Sequence, residues 1–188
     1  MAQDDLEKIK ELFGKAKKGD KEYFSEICEV YFKPLHRYVY LRIGNKAESD
    51  ELLQDIFIKA FDSVENSPQC DSLTVFHFYD VARKSVMDWK RKRKRVALSD
   101  ESMENYSDGK ASNTDEISNR KEFNNFREAL KELSDEQQDA IIFKFIDGLS
   151  NEDIGSILGV SARSALRLEA QGLIFIRDNL KMRYERQF

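Results

Sequence analysis

Two prolines, Pro34 and Pro68, and eight glycines are the only strong chain-turning residues in these 188 positions. A β-rich fold of this length needs a turn every few residues, and most turns draw on Gly, Pro, Asn and Asp at set positions. So sparse a supply favours an all-α fold of long helices and few loops. The apolar spacing agrees. Leu6, Ile9, Phe13 and Ala16 recur at helical intervals, and Gly19-Asp20 closes that helix. Phe24, Ile27, Tyr31, Leu35, Tyr38 and Arg42 share one face of a second helix, which Gly44-Asn45 ends. Pro34 lies inside it and predicts a kink or break. A third helix runs from about Ala47 to Val64, with Glu48, Asp50 and Glu51 in its first turn, where negative charge complements the helix dipole. Its buried stripe is Leu53, Ile56, Phe57, Ala60 and Phe61. Residues 66–72 read as a loop. A fourth helix follows to about Arg95, with Phe78, Val81, Ala82, Ser85, Val86 and Trp89 toward the core.

The net charge of −4 conceals local extremes. Lys90, Arg91, Lys92, Arg93, Lys94 and Arg95 are consecutive cations at a helix end. At ~100° per residue they surround the helix and cannot all face one partner. They suit either dipole compensation or phosphate binding. Residues 96–119 then carry six acids and one base, are rich in Ser, Asn and Asp, and show no helical period. A loop that long is foreign to a compact domain, so it reads as an acidic flexible linker between residues 1–95 and residues 120–188. Extended, it could reach about 80 Å.

In the second part Phe123, Phe126, Leu130 and Leu133 form an amphipathic stripe. Ser134 to Gln137 is a capping box opening a helix with Ile141, Ile142 and Phe145 inward, and Gly148 stops it. Ser150 to Asp153 caps a short helix with Ile154, Ile157 and Leu158; Gly159-Val160-Ser161 turns into a long last helix. Helix, short Gly-containing turn, helix is the helix-turn-helix pattern of DNA-binding proteins.

Several classes are disfavoured. Cys28 and Cys70 are far apart with no Cys-x-x-Cys, and His36 and His77 have no matched partners, so neither a metal site nor a disulfide framework is expected. Cys28 lies on an apolar helix face. No Ser/His/acid set or Gly-rich phosphate loop occurs, which argues against an enzyme and against any cofactor. No apolar run approaches the ~20 residues of a membrane span, and the acidic start Met1-Ala2-Gln3-Asp4-Asp5 is no signal peptide. A cytoplasmic protein without membrane insertion is expected.

One segment is more specific. Asp50-Glu51-Leu52-Leu53-Gln54-Asp55-Ile56-Phe57-Ile58-Lys59-Ala60-Phe61 resembles the signature helix of bacterial sigma factors, especially the small extracytoplasmic-function group. Residues 78–84 with Asp88-Trp89 resemble the next helix of that family, although His77 stands where the family usually has Trp. Leu149 to Ser161 resembles the helix-turn-helix of the family's second DNA-binding domain. The resemblance implies a sigma region 2 helical bundle and a sigma region 4 domain. Their function would be to bind RNA polymerase core, recognise and open promoter DNA, and start transcription. Asp50, Glu51, Gln54, Asp55 and Lys59 would then dock on the coiled-coil clamp of the largest polymerase subunit. Asn66, Ser67 and Gln69 would capture a flipped base of the −10 element. Arg83, Lys84 and Lys90 to Arg95 would hold the opened strand.

The recognition helix departs from the family. Where Thr-Val-Lys-Ser-Arg-Leu-x-Arg-Ala is usual, this chain has Ser164-Ala165-Leu166-Arg167-Leu168-Glu169-Ala170-Gln171-Gly172. Arg163, Ser164, Arg167 and Gln171 remain as DNA-contact candidates. Ala165, Leu168, Gly172, Leu173, Ile176 and Leu180 suffice for a core stripe, which leaves Leu166, Ala170, Ile174 and Phe175 as a second apolar set. A surface helix normally carries one such stripe. The second is expected either to enlarge the core or to bind an anti-sigma factor or a targeting partner that supplies the DNA address. A sigma-like protein that sequesters regulators without initiating transcription is the rival reading.

Overall fold

Gly44, at φ +84°, ends the first long helix in a backbone conformation that a side chain would strain. This helix, α1 (Glu22–Ile43), buries Ile27, Tyr31, Leu35 and Tyr38 completely. It runs through Pro34 without a break. Tyr31 and Leu35, buried on either side of the proline, hold both turns against the neighbouring helices. Asn45 opens α2 (Lys46–Asn66): its Oδ1 accepts from the Glu48 amide at 3.2 Å. Helix α3 (His77–Ser99) completes the bundle. Tyr31 stacks on Phe78 with ring centroids 4.8 Å apart, and Phe57 and Phe61 approach the same ring to 5.7 and 5.4 Å. His77 packs as a half-buried neutral ring: Nε2 lies 2.6 Å from Ser63 Oγ, and burial lowers its pKa. Cys28 is half-buried, with its thiol pKa raised by burial.

The computed structural model describes residues 11–12, 22–66, 76–99 and 114–185. Every regular element among them is helical. Helix α3 continues to Ser99, and α4 (Thr114–Lys131) begins inside the stretch expected as linker. Then come α5 (Asp135–Ile141), a π-helical turn (Ile142–Ile146), α6 (Asn151–Leu158) and α7 (Ala162–Glu185). Both expected capping boxes are formed. Ser134 Oγ accepts from the Gln137 amide while Gln137 Oε1 accepts from the Ser134 amide, and Ser150 with Asp153 repeats the exchange.

The π turn alters which residues face inward. Its wider pitch inserts one residue, with the Asp147 amide donating to Ile142 O at 3.1 Å. Ile142 and Phe143 are therefore buried while Phe145, expected inward, is 51% exposed. Leu173 also turns out, contrary to the expected core stripe. Helix α7 approaches α5 through Gly172, where a Cβ would stand 3.0 Å from Ile141 Cγ1. With Gly172 inward, Leu173 lies ~100° further round.

The helix-turn-helix corner leaves no room at Gly155. A Cβ there would sit 2.8 Å from Val160 O and 3.2 Å from the Ala162 amide nitrogen, both backbone atoms. Gly155→Ala is therefore expected to destabilise the chain by about 1–3 kcal/mol despite the better helix propensity of Ala. Chemical denaturation measures this, and an unchanged or higher midpoint would show that the corner can relax.

Candidate nucleic-acid interface

On α2 the buried residues Leu53, Ile56 and Ala60 face the bundle, so Glu51, Gln54, Asp55 and Lys59 project outward and are exposed. Asp50 is half-exposed and lies 2.8 Å from His36 Nε2. Ile58, 59% exposed, sits on the same outer arc and was missed by the sequence reading. Its only sequence signal is an apolar residue off the buried stripe. Asn66 is the last residue of α2; Ser67 and Gln69 lie outside the described residues.

The cations of α3 divide by direction. Lys84 pairs with Asp80 at 2.6 Å, and Arg91 approaches Asp88 at 3.4 Å. Arg93 pairs with Glu48 of α2 and lies over the Trp89 ring at 5.1 Å. Lys92, Lys94 and Arg95 are exposed. Arg83 and Lys90 turn instead toward the second half of the chain.

That contact is extensive. Phe143 of the π turn wedges between two tyrosines of the first half, stacking on Tyr38 at 5.1 Å and meeting Tyr79 edge-on at 5.3 Å. Beside it lies a charged cluster that the sequence reading missed. Arg42 and Asp139, both with side chains 0% exposed, pair at 3.2 Å from Nε to Oδ1. Tyr38 Oη donates to Asp139 Oδ1 and Arg83 Nε to Asp139 Oδ2, each at 2.9 Å. Arg42 Nη2 reaches Asp135 Oδ1 at 2.6 Å, and Lys90 Nζ reaches the same oxygen at 2.7 Å. Gln138 Oε1 accepts from Arg42 Nη1. Burial pushes the Asp139 carboxyl above the ordinary carboxylate range against the pull of Arg42, and burial lowers the Lys90 ammonium. The two parts of the chain thus pack directly together.

At the edge of this contact Arg37 Nη2 meets Asp147 Oδ1 at 2.9 Å. Burial raises the Asp147 pKa to about 6, the Arg37 ion pair opposing it. The folded form therefore holds its proton more tightly than the unfolded chain, and stability falls as pH rises through 6. Relative to wild type, Asp147→Asn should be more stable at pH 7.5 than at pH 5 by about 1–2 kcal/mol. Urea melts at the two pH values test this; a difference independent of pH would place the titration elsewhere.

On α7 the apolar set divides. Leu166, Ala170 and Ile174 are exposed together on the flank that also carries Arg163 and Arg167. Phe175 is exposed too, but nine residues from Leu166 it lies on the opposite flank, near Met182. Ser164 is engaged in capping α7: its amide donates to Ser161 Oγ at 3.2 Å, and the two hydroxyls lie 2.9 Å apart. Gln171 is exposed.

A three-helix bundle with a basic helix end, packed on a helix-turn-helix, defines an all-α protein of the nucleic-acid-binding class. The chain matches the model of the ECF sigma factor family over residues 6–185 and belongs to that family. It is similar to the ECF RNA polymerase sigma factor SigW of Bacillus subtilis (strain 168), with 26% identity over 182 residues, 92% of this chain and 97% of SigW. SigX of the same strain is 23% identical over 169 residues, covering 86% of this chain and 85% of SigX. Two solved structures share the fold. One is the sigma factor RpoE in complex with the anti-sigma factor NepR from Bartonella quintana, with a TM-score of 0.66, 21% identity, and coverage of 86% of this chain and 98% of RpoE. The other is CnrH with the cytosolic domain of CnrY, with a TM-score of 0.70, 15% identity, and coverage of 91% and 96%. The chain is accordingly a polymerase-binding sigma factor for transcription initiation. No described helix is long and apolar enough to cross a membrane.

Proposed function

We propose that this sigma factor docks on core RNA polymerase through the outer face of α2 and places its cations on promoter DNA. Asp50, Glu51, Gln54, Asp55 and Lys59 carry the docking, with Ile58 as the apolar centre of the patch. The observation that carries this reading is the division of α2: its motif aromatics close the core while the motif acids stay in solvent. Such an acidic face with an exposed apolar residue suits a basic protein partner. Arg83, Lys84 and Lys90 to Arg95 hold the promoter strand, with Asn66, Ser67 and Gln69 beside it. The protein acts as a binding subunit, not a catalyst, and works where the polymerase is, in the cytoplasm. Run-off transcription reconstituted from core polymerase and this chain tests the reading. Promoter-dependent transcripts above core alone support it. Core binding without any initiation would support the sequestering alternative.

The exposed residues Leu166, Ala170 and Ile174 favour one addition. We propose that a protein partner covers this flank of α7, an anti-sigma factor or a targeting protein. The RpoE structure, solved with an anti-sigma factor, provides a precedent for such a partner on this fold.

A further inference from the structure

Leu166, Leu173 and Leu180 recur at every seventh residue of α7, and Ala170, Arg177 and Tyr184 follow them by four. Such spacing is the a/d pattern of a helix that winds against another helix. We propose that this seam is the docking track for one acidic amphipathic helix of another protein, laid along the length of α7 in coiled-coil fashion. It rests on the reading above that a protein covers the Leu166 flank. To that reading it adds Leu173, Leu180 and Tyr184 and the chemistry of the occupant.

The seam faces solvent. Leu173 and Tyr184 are each 46% exposed, beside Leu166 at 49%. The domain core lies on another face of α7, where Ala165, Gly172, Ile176 and Asn179 are buried. Seven residues fall about 20° short of two full turns of a straight α-helix. Each leucine therefore stands about 20° nearer the core than the one before, and Leu180, at the end of the row, is half-buried against it. A helix that follows so slanted a row crosses α7 at about 20°, the angle of coiled-coil packing. Ala170 is small and leaves room beside Leu166 and Leu173 for a side chain of the facing helix. From Leu166 to Tyr184 the track runs about 27 Å, or about five turns.

Charge selects the occupant. Arg163 and Arg177 fall in the seam at the same heptad position as Ala170 and Tyr184, and Arg167, Ile174 and Lys181 border it. Arg177 is answered by Asp178 at 2.9 Å and Lys181 by Glu185 at 3.9 Å, exposed pairs that contribute little. Arg163 and Arg167 have no acidic partner among the described residues. A second copy of this chain would set these cations against each other. Parallel pairing faces Arg163 and Arg177 with themselves, and antiparallel pairing brings Arg167 against Lys181. Like charges juxtaposed across an interface oppose association. A nucleic-acid strand would answer the cations but leave the leucine row against phosphate and water. A helix with an apolar stripe rimmed by Asp or Glu satisfies both parts of the pattern. Arg163 and Arg177 then fix its register, because each needs a carboxylate opposite it.

Photo-crosslinking of the full chain in its native host tests this. Benzoylphenylalanine is placed at position 170 or position 184, one at a time, and the crosslinked peptide is mapped by mass spectrometry. The expected result is capture at both positions of one segment of another protein, with apolar residues every three or four positions and an excess of Asp and Glu. A synthetic peptide of that segment should bind the full chain about tenfold more weakly after Leu173→Ser, and roughly tenfold or more after Arg163→Glu with Arg167→Glu. Capture at position 170 alone leaves the covered flank standing and overturns the seam. A crosslink between two copies of this chain, a crosslink to DNA, or a segment without acidic excess overturns it as well. No capture at either position removes both readings. Should Leu173→Ser unfold the chain in a thermal melt, Tyr184→Ser decides in its place. It should weaken the peptide about fivefold, and unchanged affinity is then the overturning result.

Discussion

Reversing Asp50 and Asp55 to Lys is expected to abolish binding to core RNA polymerase, lowering affinity at least a hundredfold, with helix content unchanged. Both residues lie on the outer arc of α2 with Glu51, Gln54 and Ile58, while Leu53, Ile56 and Ala60 close the core behind them. Charge reversal on that arc leaves the packing untouched. Its structural cost is the Asp50–His36 contact at 2.8 Å, a surface pair that contributes little. In a docked complex each reversal replaces an attractive pair with a repulsive one. Removing a single buried interfacial charge partner typically costs about 2–5 kcal/mol. Two reversals therefore exceed the ~2.7 kcal/mol that separates a hundredfold change in affinity. Titration of labelled chain with core enzyme measures the effect, and affinity within threefold of wild type would move the docking surface off α2.

The bundle was legible in the sequence because its stripes obey one period. Phe57 and Phe61 fall one turn apart on α2, Phe78, Ala82 and Val86 recur on α3, and both capping boxes stand in plain order before their helices. What escaped was non-local or arose from a change of period. The π turn at Ile142 is invisible to a 3.6-residue pattern, so Phe145 was placed inside where Phe143 belongs. Gly172 reads as a flaw in a helix until Ile141 is seen against it, and its inward placement turns Leu173 out. The charged cluster joins residues 96 positions apart, as between Arg42 and Gln138. One signal was present: Arg42 continues the apolar stripe of Ile27, Tyr31, Leu35 and Tyr38, and a buried arginine requires a partner. The identity of that partner, a carboxylate beyond the acidic stretch, was not written locally. For the candidate site the motif supplied the residues, and the structure then separated Arg83 and Lys90, turned inward, from the exposed Lys92, Lys94 and Arg95.

Changing Leu166 and Ile174 together to Ser is expected to weaken capture of a protein partner by roughly a hundredfold without unfolding the chain. Major-groove reading rests on Arg, Lys, Asn or Gln along the amino-terminal half of a recognition helix. On α7 that half offers Arg163, Arg167 and Gln171; Ser164 is engaged with Ser161, and Leu166 and Ala170 interrupt the polar surface. Under the proposed reading this helix contributes less to DNA reading than to binding a protein partner. Leu166 and Ile174 are 49% and 52% exposed, so about half of each side chain remains to be covered. That area corresponds to about 1–1.5 kcal/mol each, and placing a hydroxyl against an apolar partner surface adds a further ~0.5 kcal/mol or more. The sum, about 3 kcal/mol, is the hundredfold change. Losing the half of each side chain already covered costs the fold about 1 kcal/mol per substitution, which leaves it folded because the α7 core is Ala165, Gly172 and Ile176. Quantitative affinity purification from the native host, wild type against double variant, supplies the measurement, with a thermal melt beside it. Equal recovery of every bound protein would leave this flank without a partner, and a collapsed melt would assign both residues to the core. Selective, submicromolar binding of a −35 duplex by the full chain alone would restore α7 as an independent reader of DNA.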